Sequence, residues 1–348
     1  FNAYMNAIDE VGKLNLIKNL NNGVSIKISA LHPRYEMRKF KDLESELIPR
    51  LIELVHYAHS KDVEITIDAE EQDRLTLSLN IIEKLALDKV IKNWTGFGIA
   101  LQAYGKRSIN VIHWINKILD KREKMHLRLV KGAYWDYEIK HAQVFGYEDY
   151  PVYSKKSLTD ISFLLCAKEI LKNEKIYAKF ATHNAHTISS VHQLGQGKDY
   201  EFQRLYGMGE LLYQSAEKVL NLEKKPSVYA PIGSYKDLLP YLVRRLLENG
   251  ANSSFINRLL DPETDANWLA ENPAIRIEKE KIDIPLPKNI FTERKNSSGF
   301  DLSENSNLKN LEKSISAHKK NKINAESIYV NRDEKEKVGQ KVYSIANN

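Results

Sequence analysis

Cysteine is almost missing from this chain, with Cys166 the only one in the sequence. That excludes an internal disulfide framework, leaves no thiolate cluster to hold zinc, and suits a reducing, cytoplasmic compartment. Cys166 lies in the apolar run ISFLLCAKEIL and is expected to be a buried helix residue. Long hydrophobic runs are missing as well: no stretch approaches the roughly 20 apolar residues that a membrane-spanning helix needs. The start, FNAYMNAIDE, has neither an initiator methionine nor a signal-peptide pattern, so a soluble piece of a longer protein is expected. Neither a Walker A loop nor a GxGxxG dinucleotide fingerprint is present. A net charge of +6 is modest for 348 residues, and the lysines alternate with glutamates. A nucleic-acid partner, which needs a clustered basic face, is therefore not expected.

What the chain does have is enough apolar content, 42%, to bury a large core over one big domain with an appendage, or over two domains. Eight short apolar or β-branched runs recur: VSIKISA, VEITIDA, GFGIALQ, HLRLVKG, KIYAKFATH, YEFQRLY, SVYAPIG and SSFINRL. Between them lie amphipathic stretches such as LESELIPRLIELVHYAHS and DRLTLSLNIIEKLAL, where apolar residues recur three and four apart. This alternation predicts parallel strands with crossover helices. Eight units fit a (β/α)8 barrel, and a doubly wound open sheet also fits the pattern.

A barrel places its active site where the strands end, and polar residues do gather at those ends. They are Lys27 with Ser29, His32 and Arg34; Asp68 with Glu70 and Glu71; Gln102 and Tyr104; Arg128 and Lys131; His183 with Asn184 and His186; and Tyr229. From about residue 271 the composition turns to Lys, Asn, Ser and Glu, with IDIPLP as an extended clip. Such a segment reads as a linker, or as a piece that wraps over a neighbour.

Each chemical reading has a plainer rival. Lys131, followed by Gly132, makes an anion or cofactor seat, because glycine lets a ligand approach the backbone closely; it also makes an ordinary lysine on a barrel rim. Trp135 reads equally as a packing residue. His183 and His186 suggest a metal, but two histidines are too few ligands, and Asp68, Glu70 and Glu71 would not all point the same way along an extended segment. Hydrogen bonding to a ligand is the better reading, and no metal is expected. Tyr241, Arg244, Arg245 and Glu248 share one face of the helix LLPYLVRRLLEN. They form either a solvated stripe or, through the guanidinium forks, a receptor for a carboxylate.

Taken together, VSIKISALHPRY, IDAEEQDRL, RLVKGAYWDYEIKHAQ, YPVYSKKSLTDISFLLCAK, FATHNAHT and YLVRRLLENGANSSFINRL resemble the proline dehydrogenase domain of the bacterial bifunctional proline utilization A flavoenzymes. The likeness runs from about residue 2 to about residue 258, with the motifs in the family's order. It implies an α/β fold, a distorted (β/α)8 TIM barrel with a C-terminal extended linker. It further implies noncovalent FAD at the strand ends and oxidation of L-proline to Δ1-pyrroline-5-carboxylate by hydride transfer to flavin N5. Electrons would pass to a quinone, reached by peripheral association at the inner face of the membrane.

By motif, the resemblance assigns Asp68, Gln102, Arg128, Val130, Lys131, Gly132, Ala133, Trp135, Lys155, Thr159, His183, Asn184 and Glu248 to the cofactor. It assigns Lys27, Tyr134, Tyr241, Arg244 and Arg245 to the substrate, with Arg128, Lys27 and Tyr134 nearest the chemistry. Residues 1–260 would form the barrel, and residues 261–348 a linker running into the start of an aldehyde dehydrogenase domain. The rest of that domain, with its NAD site, would lie outside this sequence. The stretches LNLIKNLNNGVSIK and QLGQGKDYEF are shorter than the family pattern, and Ser154 and Ser157 depart from it. Two rival functions are a Schiff-base aldolase using Lys27 or Lys131 and a noncatalytic binding scaffold.

Overall fold

The computed structural model describes residues 1–250, 267, 270–280 and 284–319, and of residues 247–250 and 279 the backbone only. Seven strands form one parallel sheet in sequence order: β1 (Gly23–Ile26), β2 (Glu64–Ile67), β3 (Phe97–Gln102), β4 (Met125–Val130), β5 (Ile176–Ala181), β6 (Tyr200–Leu205) and β7 (Ser227–Tyr229). Each corresponds to one of the first seven runs expected to be strands. The eighth run, SSFINRL, lies outside the described residues.

The helices are α1 (Asn2–Lys18), α2 (Phe40–Ser60), α3 (Leu75–Ala86), α4 (Ser108–Leu119), α5 (Trp135–Phe145), α6 (Lys156–Ile170), α7 (Ala185–Leu194), α8 (Glu210–Leu220), α9 (Tyr235–Gly250), α10 (Pro273–Lys279) and α11 (Asn305–Lys319). The chain divides into a unit Phe1–Leu308, which holds the sheet and everything considered below, and a unit Lys309–Asn348. No described helix is long and apolar enough to cross a membrane.

Side chains alternate across a strand, and here the two faces of the sheet differ in kind. Ile26, Ile65, Ile67, Phe97, Ile99, Leu127, Leu129 and Phe180 occupy the face covered by helices, where they pack with Leu47 and Leu51 of α2, Ile81 of α3, Ile112 and Ile115 of α4, and Phe163 of α6. Cys166 belongs to this core, as its apolar setting predicted. The helices form because their apolar residues recur at the spacing of one helical face, and burying that face stabilises them more than their propensity does.

The other face is polar. Neighbouring strands lie about 4.8 Å apart, so β2 and β5 would be about 14 Å apart in a flat sheet. Yet the Lys179 ammonium on β5 lies 2.6 Å from the Glu64 carboxylate on β2. The sheet is therefore curled into a TIM-barrel-like form, with the ion pair in its interior. Branched apolar side chains usually fill such an interior; here Thr66 and His126 share a hydrogen bond at 2.8 Å and Lys179 bridges carboxylates. Burial pushes the His126 pKa well below the ordinary imidazole range, which keeps the ring neutral.

Candidate functional site

Arg128 stands near the C-terminal end of β4 and points into the curled sheet. Its Nε donates to Gln203 Oε1 at 2.8 Å, Nη1 to Asp68 Oδ1 at 2.9 Å, and Nη2 to Ser25 Oγ at 2.9 Å. The face of Tyr229 lies 5.0 Å from the guanidinium carbon. A guanidinium has five N–H groups. Among the described residues three are engaged, which leaves one on each terminal nitrogen for a ligand.

Asp68 binds more than Arg128: its Oδ2 takes the Lys27 ammonium at 3.3 Å and the Tyr229 hydroxyl at 3.2 Å. Burial opposes the charge on Lys27, but Asp68, helped by Tyr134, Tyr229 and Glu70, outweighs it and raises the lysine pKa above its ordinary value. Burial, with Asp68 adding to it, also holds the Tyr229 phenol protonated. The strand ends thus carry two permanent cations around one carboxylate. Behind Lys27, the loop is fixed by Glu70, which accepts from the Ser29 N–H at 3.0 Å, the Ser29 hydroxyl, and Arg74 Nη1 at 2.8 Å.

The segment after β4 is shaped from beneath. Gly132 has φ 133°, and a Cβ there would meet the Tyr104 ring at 2.5 Å. Only glycine fits, and it lets residues 131–133 pass over the ring. Val130 and Lys131 give their carbonyls to Ala103 N and Tyr104 N, each at 2.8 Å. Gln102 accepts from Ala133 N at 3.4 Å while its amide donates to the Glu70 carbonyl at 2.8 Å. Trp135 begins α5 and donates Nε1–H to the Tyr153 carbonyl at 2.9 Å.

Lys131 is ion-paired with Asp160 of α6. Burial draws the Lys131 pKa down against the pull of Asp160, while Lys131 and Lys156 hold Asp160 below the usual carboxylate range in spite of its burial.

On the far side of the strand ends, His183 Nε2 accepts from the Leu205 N–H at 3.0 Å. Burial, with Arg245 and Arg204 nearby, lowers its pKa to about 4, so the ring is neutral with its proton on Nδ1. Asn184 caps α7 by accepting from Thr187 N at 2.9 Å. Arg244 of α9 lies over the Tyr134 ring at 5.5 Å, and Arg245 over the Tyr241 ring at 5.3 Å. Among the described residues no group of three or more His, Cys, Asp or Glu side chains could hold a metal ion.

A family model described as proline dehydrogenase matches residues 1–258. The chain belongs to the proline dehydrogenase family. It is 44% identical over 335 residues to the bifunctional protein PutA of Klebsiella aerogenes, covering 90% of this chain and 26% of that protein. It is 43% identical to the Escherichia coli (strain K12) PutA, covering 90% and 25%. A crystal structure of proline utilization A from Bradyrhizobium japonicum superposes with a TM-score of 0.86 at 42% identity, covering 91% of this chain and 34% of that one. That of Bdellovibrio bacteriovorus, inactivated by N-propargylglycine, gives 0.80 at 26% identity, covering 92% and 35%. The chain spans about a quarter of the length of the curated PutA relatives it matches.

Several residues that the family resemblance assigned are in contact with one another at and beyond the strand ends. Lys27, Asp68 and Arg128 share one network; Gln102 and Ala133 touch; Tyr134 lies under Arg244. Lys155 stands half-buried just before α6, and Thr159 is buried one turn into it. The side chain of Glu248 lies outside the described residues. Ser25, Asp160 and Gln203 were not anticipated. Ser25 lies two residues before Lys27, which follows β1 directly, so alternation alone could have marked it.

Proposed function

We propose that residues 1–260 form the proline dehydrogenase unit of a bifunctional protein, oxidising L-proline to Δ1-pyrroline-5-carboxylate with FAD. Residues 261–348 are then the linker and the first part of an aldehyde dehydrogenase domain whose remainder, with its NAD site, lies beyond this chain. The observation that carries the reading is Arg128: a cation clamped by three acceptors at the strand ends and, among the described residues, with an N–H to spare on each terminal nitrogen. Family membership supports it.

The donor set fits an anionic, flat cofactor. Gln102, Arg128, Val130, Lys131, Gly132, Ala133, Trp135, Lys155, Thr159, His183, Asn184 and Glu248 would hold FAD, with Asp68 acting on it through Arg128. When bound, FAD supplies the acceptor for a hydride from the ring carbon beside the proline nitrogen. Arg128 offsets the negative charge that develops during the reaction, and being fixed beforehand it needs no reorganisation. Lys27, kept an ammonium by Asp68, adds a second cation. Arg244 and Arg245 grip the proline carboxylate, and Tyr134 beneath Arg244 closes over the ring. Electrons leave to a quinone at the membrane surface, and the protein is otherwise cytoplasmic.

A Schiff base at Lys27 is disfavoured, since Asp68 holds that lysine protonated; at Lys131 burial lowers the pKa, but the ammonium is taken up by its ion pair with Asp160. The test is to add L-proline anaerobically to the purified chain loaded with FAD. Loss of the flavin's visible absorbance is expected. A chain that binds no flavin, or whose flavin proline leaves unchanged, overturns the reading in favour of an aldolase or a scaffold respectively.

A further inference from the structure

We propose that Gln203 is a positioning residue for Arg128, and that Glu201 determines which way round the Gln203 amide lies. The inference rests on the flavoenzyme reading for its consequence, though not for its geometry. Gln203 Oε1 accepts from Arg128 Nε at 2.8 Å, and Gln203 Nε2 donates to Glu201 Oε1 at 2.8 Å. Glu201 in turn lies 3.8 Å from the Lys179 ammonium, which is anchored at 2.6 Å to Glu64. Gln203 and Lys179 are both buried.

The two neighbours of the amide have opposite and fixed roles. A guanidinium only donates and an ionised carboxylate only accepts. The observed orientation satisfies both; the flipped one would set NH2 against N–H and oxygen against oxygen, leaving buried polar groups unpaired. Among the described residues Gln203 is the partner of Arg128 Nε. Asp68 cannot do the same work, because its Oδ1 already takes Arg128 Nη1 and its Oδ2 is shared between Lys27 and Tyr229. The Nε bond sets the plane of the guanidinium, and that plane aims the two remaining N–H groups. Glu201, and Lys179 beside it, therefore act on the site through Gln203.

Two substitutions test this in the full chain: Gln203→Leu removes the acceptor, and Glu201→Met, which is close in size, removes the acceptor that orients the amide. The first readout is hydrogen exchange at the Arg128 Nε–H, assigned by its loss in Arg128→Lys. We expect at least ten-fold faster exchange in both variants. Unchanged exchange in Glu201→Met overturns the proposal, whether or not Gln203→Leu folds and whether or not proline reduces the flavin. The second readout uses the FAD-loaded chain. Both variants should lose about ten-fold in flavin reduction rate while the half-saturating proline concentration moves less than two-fold. The flavin midpoint potential should fall by about 30 mV, the equivalent of ten-fold for a two-electron couple. A loss confined to thermal stability, with potential and rate ratio unchanged, also overturns it. Failure of the unaltered chain to be reduced by proline would instead count against the flavoenzyme reading, and the exchange experiment would still decide the positioning role.

Discussion

The Tyr229 hydroxyl donates to Asp68 Oδ2 at 3.2 Å, although β7 and β2 are five strands apart in the sheet order. A flat sheet would separate them by about 24 Å. Curling brings them together, and in doing so makes Asp68 the common acceptor of Arg128, Lys27 and Tyr229. The cationic strand-end site is thus a consequence of closure, and it can be tested residue by residue.

Arg128→Met should lower the rate of flavin reduction by proline by roughly ten- to a hundred-fold, the scale of a lost charge-assisted contact worth about 1.5–3 kcal/mol. Asp68 keeps Lys27 as a partner, so the protein should still fold and show a cooperative thermal transition. Stopped-flow reduction and a melting curve on the same sample check both halves; unchanged reduction in a folded variant would remove Arg128 from its role.

Arg244→Met and Arg245→Met should each raise the half-saturating proline concentration about ten-fold or more by the same energetic argument. Flavin content should hold in Arg244→Met. Arg245 also acts electrostatically on His183, so loss of flavin from Arg245→Met alone would move that arginine from the substrate to the cofactor. Wild-type proline dependence in both variants would return the pair to a solvated stripe.

Glu138, which holds the Tyr104 hydroxyl beneath residues 131–133, provides a pH test of stability. Its carboxyl, buried against Gln72 N and the Tyr104 hydroxyl, has its pKa pushed up to about 7, first by burial and then by Asp73 and Glu71. A raised folded-state pKa means that the native state holds a proton the unfolded chain releases from about pH 4.5 upward. Its contribution to stability is therefore full below about pH 4.5 and lost as pH rises through about 7. Glu138→Gln mimics the protonated form. Relative to the unaltered chain, it should gain stability on the order of 1–3 kcal/mol between pH 5 and pH 8. Denaturant melts at the two pH values measure this, and parallel pH profiles would contradict it.

Gly132→Ala should destabilise the chain by about 1–3 kcal/mol, since φ 133° is strained for any side chain and the added methyl strikes the Tyr104 ring. It should also weaken FAD binding, because residues 131–133 must shift to relieve the clash. Melting temperature and flavin content after gel filtration report the two effects; an unaltered melt would mean the loop adapts freely.

By itself the sequence determined the alternation of strand and helix from β1 to β7, whereas α10 and α11 lie in the stretch it marked as linker. Apolar residues two apart and then three and four apart dictate strand and helix wherever they occur, because the period of a backbone decides which side chains share a face. That reasoning reached Lys27, Asp68, Gln102 and Lys131, each a polar residue ending an apolar run, and Arg128 near the end of β4. Tertiary structure decided the partnerships. Arg128 meets Ser25 across 103 positions of chain and Gln203 across 75, and Lys179 meets Glu64 across 115. Alternation marks all of these as inward-facing, but which inward-facing groups touch depends on how tightly the sheet curls and on the register between strands. The stacking of Arg244 on Tyr134 likewise joins a helix face to a loop that share no local pattern. A chain's periodicity is set by neighbours a few residues away, whereas an ion pair inside a curled sheet is set by distances that exist only once the strands are side by side.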